Sequence, residues 1–428
     1  MRRNLAFPAI GVATALALGG ASTALASSGS SAPINVGVIA PFSGPAAEFG
    51  TLLSAPCQAA TWLINRDGGV LGHKLQCTPV DDTGDPADAV PNVTRAISTI
   101  SNFDMAIGLE SNTAATTGPI VNQARIPYVT TNGLVSYNRT HEKYFWRLTP
   151  ADNANGVAFA VWAIEKHYKR VAVVFENNIG SQGNLPGILA AMPKLHGTIT
   201  NNLTIPADAT SYSSVVSTII SKHPQALIFS GDPQTTATFM ANYSQLNNGH
   251  LPPMITATDS LTPDFFNAVS KAVGKSYIFN DVYLVGSYFS NNTPAFKAYK
   301  GAMVANPLTR KIADVITTVG PPASAYDGMT IMALAMLMAK SIKGSVYNSY
   351  IPKVVSKKSG AVVVNTFAEG KKALSEGKKI QFVGVVGPVA FNQYHNFSGQ
   401  FAASRFTAAN NAHQLSVISG AEVSRLLG

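Results

Sequence analysis

Charged residues are scarce in this chain of 428 residues. Asp, Glu, Lys and Arg together make up 12% of it, whereas 46% of the residues are hydrophobic. A chain of this composition can bury a large core, and intrinsic disorder is excluded. The length is sufficient for two domains.

Residue patterns typical of enzymes and cofactor sites are also missing. The eight histidines lack the HxxH or HExxH spacing of zinc sites, and no P-loop, GxGxxG or GxSxG motif is present. Asp81 and Asp82 form an acid pair, but adjacent side chains on a strand point to opposite faces. We interpret them as holding a loop, since with Asp85 they lack the ligand number of a calcium loop. We therefore expect neither catalysis nor a cofactor or metal.

The positive charge of the chain is not concentrated in one place. Its net charge is +9 and its pI is near 9.4. The densest basic spots are three pairs, Lys357 with Lys358, Lys371 with Lys372 and Lys378 with Lys379. No aromatic residues are interleaved with these pairs, which indicates solvated surface and no nucleic-acid partner.

The N-terminus has the pattern of an export signal. Arg2 and Arg3 precede an apolar stretch over residues 5–20, and residues 24–26 form a small-residue cleavage pattern. We expect a soluble mature protein that begins near Ser27 and lies in the periplasm, the cell envelope or the medium. No cysteine near the cleavage pattern could carry a lipid anchor, and the export route stays open.

Cysteine is limited to Cys57 and Cys77. The first falls on a predicted helix and the second on the strand that follows it, and these elements are neighbours in a right-handed βαβ unit. Because an exported chain meets an oxidising environment, we predict a disulfide between them. Two buried free thiols are the alternative.

Strand and helix patterns alternate along the chain, which predicts an α/β fold. An apolar run over residues 34–40 opens a parallel sheet and ends in a turn rich in proline and glycine. Asp85 is placed to cap the second helix. The predicted strands of the first part are 34–40, 75–80, 105–109 and 126–130, and its predicted helices are 56–68, 86–100 and one ending at 123.

The pattern starts again after residue 148. It predicts strands 171–175, 226–230 and 254–257 and helices 157–168 and 180–195, followed by a return to the first part through residues 277–286. The apolar helix 329–339 is too short to span ~30 Å of hydrocarbon and is interpreted as core.

The resulting architecture is two doubly wound parallel-sheet lobes that face each other across a ligand cleft. Three crossings join them, near Thr149, Val282 and Phe401, and a ligand between the lobes would hold them closed. We expect a monomer. The predicted division is a signal peptide at 1–26, lobe 1 at 33–148 and 284–400, and lobe 2 at 149–283 and 401–428.

Two long motifs carry a family resemblance. The loop PFSGPAAEFG (41–50) and the segment GGVLGHKLQCTPVDDTGDP (68–86) resemble the extracellular solute-binding proteins of the leucine/isoleucine/valine-binding family. Weaker marks follow in the same order, namely IPYVTTNG, FWRLTPADNANG, YDGM and GPVAFN. The resemblance covers almost the whole mature chain and implies a solute-binding protein of an ABC transporter.

The resemblance implies a site for the carboxylate of an amino acid. Hydroxyls and free N–H groups at the start of a helix favour such a group. Ordinary helix capping by Ser111 is the alternative. The matching residues here are Ser111, Asn112, Thr113, Thr131 and Asn132.

The resemblance also implies contacts to the rest of the ligand. Asp259 matches an acidic position that meets the ammonium, and Phe49 matches an aromatic residue that closes the first loop. Asp232 lies where relatives carry glycine or an aromatic residue. Glu110 replaces a small or apolar residue and Ile179 replaces an aromatic one, so a plain leucine, isoleucine or valine specificity is not expected.

These observations predict a solute-binding component of an ABC importer that delivers an amino acid or a small amide-like ligand to a permease. The alternative is a ligand-sensing module of the same fold that reports to a receptor or signalling partner. A fused output domain or a membrane helix in the mature chain would favour the alternative, and the sequence has neither pattern.

Overall fold

The structure is a computed structural model that describes residues 31–44, 47–318 and 320–427. The predicted export signal at 1–26 lies outside the described residues. Pro45 and Ala46 of the first loop lie outside them as well.

The described strands alternate with helices, as the sequence predicts. In chain order they are β1 (Ser31–Ala40), β2 (His73–Asp81), β3 (Phe103–Gly108), β4 (Tyr128–Thr130), β5 (Phe145–Arg147), β6 (Arg170–Glu176), β7 (Thr198–Ile205), β8 (Ala226–Ser230), β9 (Met254–Ala257), β10 (Val282–Ser287), β11 (Val362–Val364), β12 (Ile380–Gly384), β13 (Gly387–Pro388), β14 (Phe401–Ala408) and β15 (Asn411–Ile418).

The α-helices cover the faces of the sheets. In chain order they are α1 (Glu48–Arg66), α2 (Pro86–Thr99), α3 (Ser111–Gln123), α4 (Asp152–Glu165), α5 (Ile179–Gly183), α6 (Leu185–Lys194), α7 (Ser213–Ile220), α8 (Pro233–Leu246), α9 (Pro263–Val273), α10 (Lys275–Asp281), α11 (Pro294–Ala305), α12 (Ala313–Ile316), α13 (Gly320–Ala339), α14 (Gly344–Tyr347), α15 (Ile351–Val355), α16 (Phe367–Ser375) and α17 (Gly420–Leu427).

Two large sheets form the two lobes. The first has the order β2-β1-β3-β4-β5, and all its strands are parallel. The second has the order β15-β14-β10-β9-β8-β6-β7, and it departs from the prediction of a parallel sheet because β14 runs antiparallel to both β10 and β15. A small third sheet contains β11, β12 and β13. The prediction of two α/β lobes is therefore confirmed, with an antiparallel edge added by the C-terminal hairpin.

Sheet membership locates the three crossings between the lobes. The chain leaves the first sheet after Arg147 and joins the second again at Phe401, close to the predicted positions. The segment Val282–Ser287 belongs to the second sheet, so the chain returns to the first lobe after Ser287 and not near Val282. The lobe bounds given above remain a prediction with this adjustment.

Helix α1 begins earlier than the sequence predicts. Pro56 is typical of a first helical turn, but here it lies inside a helix that starts at Glu48. Leu53 and Ala55 on the extra turns are buried in the core of the first lobe. Burial of this face outweighs the backbone hydrogen bond that the proline cannot donate.

The same helix carries the predicted disulfide. Cys57 on α1 is bonded to Cys77 on β2, with their Cα atoms 6.1 Å apart. The Cys57 side chain is fully buried. The predicted pairing is confirmed, and the alternative of free thiols is wrong.

Helix α13 is the buried centre of the first lobe. It has 20 residues, more than predicted, because it begins at Gly320. Two prolines lie in its first turn, where proline is tolerated. With 20 residues the helix is no longer too short to span a membrane. Its side chains are buried inside the protein over most of its length, and this burial identifies it as a core helix. Within the described ranges no single helix is long and apolar enough to cross a membrane. Helix α13 and the segment Gly344–Val355 reach that length and apolarity only together, and they are bent by 87° relative to each other.

A buried carboxyl fixes α13 against the end of the third sheet. Asp327 accepts hydrogen bonds from the backbone N–H groups of Val385 (3.0 Å) and Val386 (2.8 Å). Burial raises the pKa of Asp327 to about 7, and the two N–H donors act to lower it. A Cβ on Gly384 would lie 2.3 Å from the Asp327 carboxyl carbon, so this close approach requires glycine.

Candidate functional site

The two lobes meet where the carboxyl ends of their strands face each other. Helix α3 of the first lobe contacts α5 of the second. The loop after β4, residues 131–133, packs against the start of α4. Ligands of open α/β sheets bind at such strand ends, so this contact region is the candidate site.

Asp81 organises the loop after β1. Its carboxylate accepts hydrogen bonds from Phe42 N (2.8 Å), Ser43 Oγ (2.7 Å) and Thr83 N (2.9 Å). Burial acts to raise the pKa of Asp81, but these hydrogen bonds outweigh it and hold the pKa below its usual value. The predicted role in holding a loop is confirmed. Phe49 lies half-buried in the first turn of α1, beside this loop.

Asp82, in contrast, points inward. It is fully buried and accepts a hydrogen bond from the Thr113 hydroxyl at 2.7 Å. Burial raises the pKa of Asp82, while this hydrogen bond acts to lower it. The opposite orientations of Asp81 and Asp82 agree with the predicted alternation along the strand. They do not flank a common bond.

Glu110 caps helix α3, the role considered above for Ser111. The Glu110 Oε2 atom accepts a hydrogen bond from Asn112 N at 2.9 Å. Burial raises the pKa of Glu110 to about 7, and the N–H donor lowers it. A carboxylate of the protein therefore occupies the helix N-terminus that we predicted for the ligand.

The predicted carboxylate-binding residues have different surroundings. Thr113 is fully buried and its hydroxyl is used by Asp82. Asn132 is also buried, donates to Leu109 O at 3.1 Å and accepts from Leu134 N at 3.2 Å. Ser111 and Thr131 are half-buried and Asn112 is exposed.

The second-lobe residues lie on three separate elements. Ile179 begins α5 and is 51% exposed, which is high for a large apolar side chain. Asp232 precedes α8, and its backbone N donates to Glu176 Oε2 at 3.0 Å. Asp259 lies in a short 3₁₀ turn after β9, and its surface is exposed to solvent. Desolvation of its carboxyl by the surrounding protein raises the pKa of Asp259.

Asp152 is a site residue that sequence reasoning missed. It is the first residue of α4, and its backbone N donates to Gly133 O at 2.7 Å. A Cβ on Gly133 of the first lobe would lie 1.7 Å from Asp152 Oδ1, and one on Gly183 of the second lobe 2.6 Å from Oδ2. The carboxyl is thus enclosed between the lobes. Its place in the FWRLTPADNANG crossing motif is the sequence signal that could have identified it.

The Asp152 carboxyl is incompletely hydrogen-bonded. Its Oδ2 atom is buried and accepts no hydrogen bond from any residue in the described ranges. Burial raises the pKa of Asp152 to about 7, the charge of Arg147 acts to lower it, and that of Asp259 acts to raise it. A buried carboxyl oxygen without a donor is costly unless a ligand supplies one.

Arg147 lies beneath this carboxyl, at the end of β5. It is 1% exposed, and its guanidinium donates to Leu134 O at 2.9 Å and to Asn138 Oδ1. Burial lowers the pKa of Arg147 to about 10, and the charge of Asp152 acts to raise it. The arginine holds the loop after β4 against the crossing.

Raising the pH from about 5 to about 8 is expected to lower the melting temperature. Glu110, Asp152 and Asp327 have pKa values raised to about 7, whereas carboxyls of unfolded chains titrate near 4. Between these values the folded state holds more protons than the unfolded state. The stabilisation is complete below the unfolded pKa and is lost as the pH rises through the folded pKa.

Differential scanning fluorimetry of the wild type and of Glu110→Gln measures this dependence. The glutamine keeps an acceptor for Asn112 N but does not titrate, so its melting temperature should change less with pH. The pKa of His395 is lowered by burial, so this one histidine makes stability rise with pH, opposite to the three carboxyls. A wild-type melting temperature that rises over this pH interval would contradict the assignment.

Comparison with known proteins adds family evidence to this geometry. A sequence model of the family "Periplasmic binding protein" matches residues 33–405. The Leu/Ile/Val-binding protein homolog 3 of Brucella melitensis biotype 1 is 39% identical over 79 residues, which is 18% of this chain. The match covers 20% of the length of that relative.

Solved structures share the fold over nearly the whole chain. The branched-chain amino acid transporter substrate binding protein LivJ of Streptococcus pneumoniae, in complex with isoleucine, has a TM-score of 0.70 at 18% identity and covers 90% of this chain and 99% of its own. A solute binding protein of an ABC transporter from R. palustris, in complex with benzoate, has a TM-score of 0.66 at 16% identity. That match covers 90% of this chain and 96% of the other. At these identities the likeness is one of fold.

Proposed function

The chain belongs to this family of periplasmic binding proteins, and from that membership we propose that it is the solute-binding component of an ABC importer. It captures a small molecule between two closing lobes and presents it to a membrane permease. The observation that supports this most directly is the contact between Gly133 of the first lobe and the Asp152 carboxyl at the start of the second, where a Cβ on Gly133 would lie 1.7 Å from Oδ1. The two lobes therefore touch beside the candidate site.

The ligand class is an amino acid or a related small molecule. Among structures of similar fold, one is in complex with isoleucine and one with benzoate. In this chain we propose contacts from both lobes, with Phe49, Ser111 and Thr131 on one side and Ile179 and Asp259 on the other. We propose that these residues bind the ligand without catalysing a reaction.

The remaining parts of the proposal concern the form of the protein. We propose that residues 1–26 direct export and are removed, and that the mature protein acts without a lipid anchor as a monomer. Its two lobes are the segments given above, with the second crossing after Ser287.

Ligand binding is expected to reduce the radius of gyration. Thermal-shift screening against amino acids, amides, amines and aromatic acids would supply the ligand, and small-angle X-ray scattering would compare the free and saturated protein. Closure brings Gly133 of the first lobe against the Asp152 carboxyl of the second, so Gly133→Val should prevent the decrease.

The matched control is Gly180→Val, on α5 of the second lobe. A Cβ there meets only Asn178 Oδ1, at 3.7 Å, so this variant should close like the wild type. An unchanged radius of gyration in the saturated wild type would count against hinge closure.

A further inference from the structure

Two of the donors predicted for a ligand carboxylate already serve carboxylates of the protein. Asn112 N donates to Glu110 Oε2 at 2.9 Å, and the Thr113 hydroxyl donates to Asp82 Oδ2 at 2.7 Å. Thr113 N is directed at Glu110 O, at 3.3 Å. A ligand carboxylate at the start of α3 would have to displace Glu110 and would be repelled by its charge.

The other side of the cleft offers acceptors. Among the residues that the structure describes, none donates a hydrogen bond to the buried Asp152 Oδ2. Asp259 is exposed to solvent, and its charge acts to raise the pKa of Asp152. The charged groups that face Asp152 are Arg147 from β5 and Asp259 from the turn after β9. The Arg147 guanidinium is 1% exposed and is held by Leu134 and Asn138, so it is not available to a ligand.

We propose that the ligand of this cleft is an organic amine without a carboxylate, whose ammonium donates to Asp152 and Asp259. This inference rests on the function proposed above and specifies its ligand. A cationic donor satisfies the buried Asp152 oxygen with a charge-assisted hydrogen bond. The apolar part of the amine packs against the exposed Ile179 side chain, which lies on the same helix as Gly183, the neighbour of Asp152.

Two matched ligands separate this proposal from amino-acid binding. Leucine and 3-methylbutylamine have the same apolar body and the same ammonium, and they differ only by the carboxylate. In calorimetric titrations of the full-length mature protein at pH 8, the amine should bind at least about tenfold more tightly than leucine. Phenethylamine against phenylalanine provides a second pair.

Substitutions assign the effect to the two ends of the site. Asp152→Asn should weaken amine binding by about tenfold or more, because it removes the charge that the ammonium meets. Glu110→Ser frees the start of α3 and should raise the affinity for leucine. Glu165→Gln, at the far end of α4, is the matched control and should bind like the wild type.

The pH dependence gives a readout that a general loss of folding would not reproduce. The pKa of Asp152 is raised to about 7, so amine binding should tighten from pH 6 to pH 8 in the wild type. It should tighten less in Asp152→Asn, where Asp259, whose pKa is also raised, is the remaining carboxyl of the pair. Circular dichroism would verify that each variant is folded.

Two outcomes would overturn the proposal. Leucine, isoleucine or benzoate binding more tightly than the matched amine, with a decrease in the radius of gyration, would reject the amine and leave the importer function standing. The absence of a thermal shift with every probe, together with an unchanged radius of gyration, would reject both.

Discussion

Replacing Arg147 with methionine is expected to lower the free energy of unfolding by about 3 kcal/mol. The side chain is 1% exposed, and its guanidinium satisfies Leu134 O and Asn138 Oδ1 inside the protein. Methionine fills much of the same volume but donates no hydrogen bond. Asn138 Oδ1 would then lose this donor, and Leu134 O would keep only the bond from Tyr137 N at 3.1 Å. Each weakened acceptor costs roughly 1–3 kcal/mol of desolvation, partly offset because the arginine no longer has to be buried.

Urea denaturation followed by circular dichroism measures this loss. Arg139→Met is the matched control. Arg139 is exposed in the segment between β4 and β5, so its substitution should change stability little. Removal of the positive charge should also raise the pKa of Asp152 further, since Arg147 acts to lower it. Equal stabilities of the two variants would show that the buried guanidinium does not hold the loop.

Removing the Cys57–Cys77 disulfide by the double substitution to alanine is expected to cost about 3 kcal/mol. The bond joins residues 20 apart in sequence, and in the chain-entropy model a closed loop of this size restricts the unfolded chain by that amount. Cys57 is fully buried, so its removal also leaves a small gap in the core beside α1.

Denaturation with and without a reductant isolates the covalent contribution. The reductant should destabilise the wild type by a similar amount and leave the double variant unchanged. Mass spectrometry of the alkylated, non-reduced protein checks that the bond is formed in solution. A wild type whose unfolding is insensitive to a reductant, in a sample shown to be reduced, would refute the prediction.

Features set by neighbouring residues could be predicted from the sequence. Asp85 caps α2 by accepting from Ala87 N at 2.8 Å, and strands 226–230 and 254–257 have the predicted bounds. These features depend on a few consecutive residues, whose turn chemistry and apolar spacing are visible in the sequence. The disulfide was predictable because the βαβ unit has one preferred hand.

Features set by distant residues could not be predicted. The start of α1 depends on burial of Leu53 in the core. The capping by Glu110 is local, but several polar residues follow one another there and the sequence alone does not show which of them caps the helix. The Thr113 hydroxyl is used by Asp82, which directly follows β2 and is distant in sequence. Asp152 gains its surroundings only when both lobes are folded, so no local pattern shows that one of its oxygens lacks a donor.

The order of the segments along the chain has a consequence for biosynthesis. The first sheet ends at Arg147, but α13, which packs against α1 and covers that sheet, follows the parallel strands of the second lobe. Tyr347 likewise donates to Asp104 O across 243 residues of chain. The first lobe therefore stays incomplete, with an apolar face exposed, until most of the polypeptide has emerged from the ribosome. For the export proposed above, this delay would keep the chain from compacting before it passes through a secretion channel.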